Sequence, residues 1–156
     1  MSAPSGPFRY LLRVRYGECD AQGIVFNARW GEYIDLAASE YTRVLFGSTD
    51  PAISGIDCRL VKQTMIWKAP ARFDEVLELR VRTLAIGTTS YTTMTEVRRF
   101  PDGPHLVDCE TVYVSVELGA GTKRPVPDRH RALLERGAPG VVVDHAAALS
   151  TAGVAQ

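Results

Sequence analysis

The sequence predicts an α+β fold in which one curved antiparallel sheet of about five strands wraps a single long central helix. Three observations predict it: one long stretch with helical spacing, four later stretches rich in Val, Thr, Tyr and Leu, and turn residues rather than helices between those stretches. Strands that follow one another directly pair antiparallel, and a sheet that buries one helix has to curve around it.

Phe8, Tyr10, Leu12, Val14 and Tyr16 alternate with Arg9, Leu11, Arg13 and Arg15, the period of a half-buried strand with a basic outer face. Gly17 to Asn27 breaks that period with loop residues. From Ala28, the side chains of Trp30, Tyr33, Ile34, Ala37, Tyr41, Val44 and Leu45 recur at three and four, which places them on one helical stripe. Asn27 suits the N-cap and Gly47 the residue past the C-terminus. The β-like runs are Cys58 to Lys68, Val76 to Leu84, Thr89 to Phe100 and Leu106 to Leu118. Pro70, Gly87 and the turn Pro101-Asp102-Gly103-Pro104 separate them. Pro127 to Arg136 reads as a short closing helix. Residues 1–7 and 138–156 are small, Pro-, Gly- or Ala-rich segments, so the expected organisation is a flexible N-terminus, a single domain over 8–137 and a disordered tail.

The chain has 156 residues, 46% hydrophobic and 23% charged, enough for one domain with a sizeable core and no need of disulfides. Lys plus Arg and Asp plus Glu both number 18, which argues against a nucleic-acid partner. Three widely separated cysteines make neither a disulfide framework nor a zinc site. There is no basic and apolar leader and no run of apolar residues of spanning length, so no membrane partner and a cytoplasmic location are expected. No glycine-rich phosphate loop or metal-ligand cluster appears, and neither a metal nor a cofactor is expected.

The segment Tyr16-Gly17-Glu18-Cys19-Asp20-Ala21-Gln22-Gly23-Ile24-Val25-Phe26-Asn27 puts a carboxylate in a short loop leading straight into the long helix. A helix N-terminus carries unpaired N–H groups and a partial positive charge, which suit a developing oxyanion. Beside such donors Asp20 can attack a carbonyl carbon or take a proton from a water that does. The plainer reading is that Asp20 and Gly23 only build an Asx turn.

This segment resembles the hot-dog-fold thioesterases of the 4-hydroxybenzoyl-CoA thioesterase type, through Tyr16, Gly17, Glu18, Cys19, Asp20, Gly23, Ile24 and Val25. Pro70-Ala71-Arg72-Phe73-Asp74-Glu75-Val76-Leu77-Glu78 is similar to a second stretch of that family. The resemblance implies a hot-dog fold and a hydrolase that cleaves an acyl-CoA, or an acyl group carried on an acyl carrier protein, to acid and thiol. It implies Asp20 as the catalytic carboxylate, the Asn27 N–H facing the thioester carbonyl, and Gly23, Phe26 and Trp30 at the substrate. Trp30 also fits the core stripe. A homodimer or homotetramer with the site between subunits is implied too. Asn27 stands where hydroxybenzoyl-type enzymes carry an aromatic or a His, and Lys62, Lys68, Arg72 and Lys123 are the cations available for coenzyme A phosphates. The alternative is a non-catalytic hot-dog module that binds an acyl group or a partner protein.

Overall fold

Helix α1 (Trp30–Phe46) lies against the inner face of a six-stranded sheet, and both follow from the spacing of apolar residues. The structure, a computed structural model, describes residues 6–149. Strand β1 (Phe8–Arg13) leads into a 3-10 turn at Tyr16–Glu18, a loop, a second 3-10 turn at Asn27–Arg29, and then α1. A short helix α2 (Pro51–Ser54) precedes β2 (Asp57–Trp67), β3 (Val76–Ile86), β4 (Ser90–Arg99) and β5 (His105–Val116), and α3 (Asp128–Arg136) and β6 (Val142–Asp144) follow.

Tyr33, Ile34, Ala37, Tyr41 and Leu45 of α1 are buried against Phe8, Tyr10, Leu77, Leu79, Val81 and Val97 of the sheet. Val44, expected on that stripe, is instead 39% exposed, and Phe46 takes its place. The helix ends at Gly47, whose φ of 81° is the left-handed conformation glycine adopts without strain. Register shifts between Leu60 and Lys62, Thr83 and Ala85, and Val97 and Arg98 increase the twist of the ladders, which bends the sheet around the helix.

The strand order is β2-β5-β4-β3-β1-β6, with β6 parallel to β1 and every other pair antiparallel. Consecutive strands β2 and β3 do not pair. Residues 68–75 leave the sheet edge instead: the Lys68 and Ala69 N–H groups both reach the Leu106 carbonyl, and Ala71 accepts from the Val25 N–H. The chain thereby passes beneath the Asp20 loop.

Two further expectations are corrected, and one element is new. Asn27 is not an N-cap; it opens the 3-10 turn, and Arg29 holds the cap position without a side-chain bond. Sheet order continues past residue 137, since Val142–Asp144 adds the short strand β6. The Asp144 carboxylate then accepts from the N–H groups of Ala146, Ala148 and Leu149, which folds the backbone after β6. Residues 1–5 and 150–156, also expected to lack order, lie outside the described residues. Helix α2 was not foreseen, although Asp50 accepts from the Ala52 N–H and Pro51 begins the helix, a common start signal.

Candidate active site

Asp20 lies in a tight hairpin. Its N–H reaches the Ile24 carbonyl at 2.9 Å, its carbonyl accepts from Gly23 at 2.9 Å, and Cys19 bridges to Val25. Gly23, with φ of 74°, makes that reversal possible. One carboxylate oxygen of Asp20 accepts the Gln22 N–H at 2.8 Å, so the Asx turn is real and it fixes the side chain. Among the described residues the other oxygen has no hydrogen-bond partner.

A cavity of about 550 Å³ opens beside Asp20 and is walled by Ile24, Phe26, Asn27, Trp30, Trp67 and Lys68, among others. The hairpin turns the chain back so that Phe26 and Asn27 arrive at the start of the helix facing that space. Phe26 gives its N–H to the Glu18 carbonyl, and the next N–H groups with an intrahelical acceptor are those of Arg29 and Trp30. Asn27 and Ala28 therefore carry the open N–H groups of the helix N-terminus, as every helix start must leave some. Four of the five implied site residues, Asp20, Phe26, Asn27 and Trp30, border this one cavity. Gly23 shapes the turn and does not border it.

Trp30 is only 2% exposed and packs edge-on against Tyr33, so it is chiefly core, whereas Phe26 is 47% exposed. Trp67, at the end of β2, forms the opposite apolar wall. It was missed because alternation along β2 explains it without reference to the loop.

Glu18 was also missed as a structural carboxylate. It is 5% exposed and accepts from the Tyr33 hydroxyl at 2.5 Å, the Arg15 N–H at 2.8 Å and the Arg15 side chain at 2.7 Å. Burial alone would raise its carboxyl, but the hydrogen bonds from Tyr33 and Arg15 and the Arg15 charge outweigh that and hold it below the usual range. Burial and the Glu18 hydrogen bond push the Tyr33 phenol far above its ordinary value. Glu18 thus ties the Asp20 loop to the first turn of α1. The Cys19 thiol is pushed up by burial and by its neighbours Glu18 and Asp20, which opposes a thiolate nucleophile there.

One long helix enclosed by a curved antiparallel sheet, with a carboxylate in the loop that leads into the helix, is the arrangement of a hot-dog-fold protein. The chain belongs to the Thioesterase superfamily, whose family model matches residues 22–104. That match covers the 3-10 turn, α1 and β2–β4, and begins two residues after Asp20. Among relatives, it is 31% identical over 84 residues to the Acyl-CoA thioester hydrolase YbgC of Escherichia coli, a match spanning 53% of this chain and 63% of that protein. Among solved structures, a thioesterase superfamily protein from Jannaschia superposes with a TM-score of 0.78 at 20% identity, covering 89% of this chain and 99% of that one. A 1,4-dihydroxy-2-naphthoyl-CoA thioesterase from Synechocystis superposes with a TM-score of 0.73 at 17% identity, over 83% and 96% of the two chains. At these identities the superpositions speak for the fold.

Proposed function

We propose that the protein hydrolyses an acyl-CoA to free acid and coenzyme A, with Asp20 as the essential carboxylate. The observation that carries this reading is the shared cavity of Asp20 and the open helix N-terminus at Asn27. In it the thioester carbonyl oxygen faces the Asn27 N–H, which stabilises the charge that develops when the carbon turns tetrahedral. Asp20 acts from the same space, as nucleophile or as base toward water, and the thiolate leaves. The Arg15-Glu18-Tyr33 group keeps loop and helix in register during this step. Membership of the Thioesterase superfamily and the similarity to a relative named for acyl-CoA thioester hydrolysis support the reaction type. The assembly that fits the reading is a homo-oligomer with the site at a subunit joint.

Thioester cleavage followed with a thiol-reactive dye tests this across short, medium and aromatic acyl-CoAs. Asp20→Asn and Asp20→Ala should each lower kcat by about 100-fold or more (~2.7 kcal/mol of barrier) while the fold is retained. If the native protein cleaves none of these donors, nor a carrier-bound acyl group, the reading is wrong. The non-catalytic module is the second reading, favoured by the Asx turn that already employs Asp20. It predicts acyl-CoA binding that survives Asp20→Asn, with no turnover in either protein.

A further inference from the structure

Lys68 is the one cationic side chain in the wall of the Asp20 cavity, among the described residues. Its side chain is 44% exposed, and its ammonium lies 3.0 Å from an Asp108 carboxylate oxygen. The second Asp108 oxygen is 2.7 Å from the His105 ring. His105 and Asp108 are three apart along β5 and would face opposite ways in a regular strand. The register shift between Val97 and Arg98 sets Val97 opposite Val107 but Arg98 opposite His105, so Leu106 is an extra residue and the two side chains meet on one face. The same Leu106 carbonyl accepts the Lys68 and Ala69 N–H groups. One bulge therefore places both the lysine's backbone and the carboxylate that holds its head.

We infer that Lys68 is a binding residue for the phosphate-bearing arm of the thioester donor, with Asp108, steadied by His105, as its positioning residue. This rests on the acyl-CoA reading above. The cavity's other walls are apolar or neutral apart from Asp20, and they suit an acyl group and an uncharged pantetheine arm. The phosphates are the charged part of the thioester donor, and Lys68, in the cavity wall and 44% exposed, has ammonium N–H groups to spare beyond the one on Asp108. Asp108 restrains the flexible lysine and so lowers the entropy lost when a phosphate docks. Asp108 is itself held below the usual carboxyl range: burial raises it, and the Lys68 and His105 contacts and charges more than reverse that.

Metal binding at the same carboxylate is the competing use. Ligand atoms of Glu96, His105 and Asp108 lie within 4.8 Å of one another. Arg98 and Arg80 lie against Glu96, however, and Lys68 against Asp108. Positive charge already stands where a cation would have to go.

The test compares one acyl group on coenzyme A and on N-acetylcysteamine, a thioester leaving group without phosphate, in the full chain. The quantity read is the ratio of kcat/KM for the two donors, which does not depend on how much protein is folded. Lys68→Gln should lower that ratio about tenfold, through KM for the CoA donor. Lys68→Arg should restore most of it, and Asp108→Asn should lower it severalfold. A ratio unchanged in Lys68→Gln overturns the proposal, as does an equal loss on both donors, which would make Lys68 part of the acyl wall. If the native protein cleaves neither thioester, the acyl-CoA reading itself has failed.

Discussion

Glu18 is a buried carboxylate that stays ionised because four donor contacts from Tyr33 and Arg15 replace the water it loses. Its carboxyl is lowered in the folded protein, so its contribution is fully present above the unfolded value and is lost as pH falls through the folded one. Denaturant unfolding should therefore show stability dropping below about pH 4.5, and less steeply in Glu18→Gln. Tyr33→Phe removes the phenol that bonds a charged acceptor and should cost about 1.5–3 kcal/mol at pH 7. Asp20 differs, because one of its oxygens accepts the Gln22 N–H and the residue borders the cavity. In the proposed reaction the general-base route has Asp20 take a proton from a water near Gln22 and Asn27. In a single turnover of excess enzyme in ¹⁸O-labelled water the product acid should carry label at once. Unlabelled acid in that turnover would mean that Asp20 attacks the carbon and its own oxygen is passed on. The Asp20 turn was legible in the sequence because Asp and Gly in a loop ahead of a helix suit an Asx turn, whereas its catalytic role was implied only by the family resemblance. Glu18 and Tyr33 escaped notice because each has a sufficient local reading, a loop acid and a stripe aromatic, and their pairing exists only once α1 packs.

At the scale of elements, the proposed oxyanion donor is backbone, so side-chain substitution alone cannot test it. Proline can. It lacks an N–H and is tolerated in the first helical turn, and it asks the preceding residue for an extended conformation. Phe26 already has φ −62° and ψ 134°, within that region. Asn27→Pro should leave the melting temperature within a few degrees yet lower kcat about 100-fold, while Asn27→Ala should cost far less. Equal, small effects of the two would remove the Asn27 N–H from the oxyanion role. The helix and the four main strands were legible because burial on one face imposes a period on the residues that carry it. Pairing was less so: β2 joins β5, not β3, and nothing in the local pattern of Cys58 to Lys68 states its partner. Strand β6 was hidden for a related reason. Three residues, Val142 to Asp144, are too few to show a period, and their order comes from β1.

At the scale of the whole molecule, one long sheet edge is open among the described residues. Strand β2 ends the sheet order, and it presents Leu60, Val61, Ile66 and Trp67 about half exposed. Such an edge, unbroken by proline and rich in apolar side chains, invites another strand. Beside it lies a second open cavity of about 510 Å³ between the helix start and β2, bordered by Ala28, Gly31, Gln63 and Met65. This cavity and the Asp20 cavity both include Asn27 and Trp67 in their walls, so one copy of the chain laid along β2 would cover the two together. A two-fold joint has this geometry, because the same strand can face itself. Sedimentation at micromolar concentration should show at least a dimer. Val61→Lys combined with Ile66→Lys puts like charges on both sides of such a joint, and should yield a folded monomer with kcat/KM reduced about 100-fold or more, since an open cavity admits water to every dipole that acts on the carbonyl. A native protein that sediments as a stable monomer and still turns over would show that β2 is a free edge and that one chain encloses its own substrate.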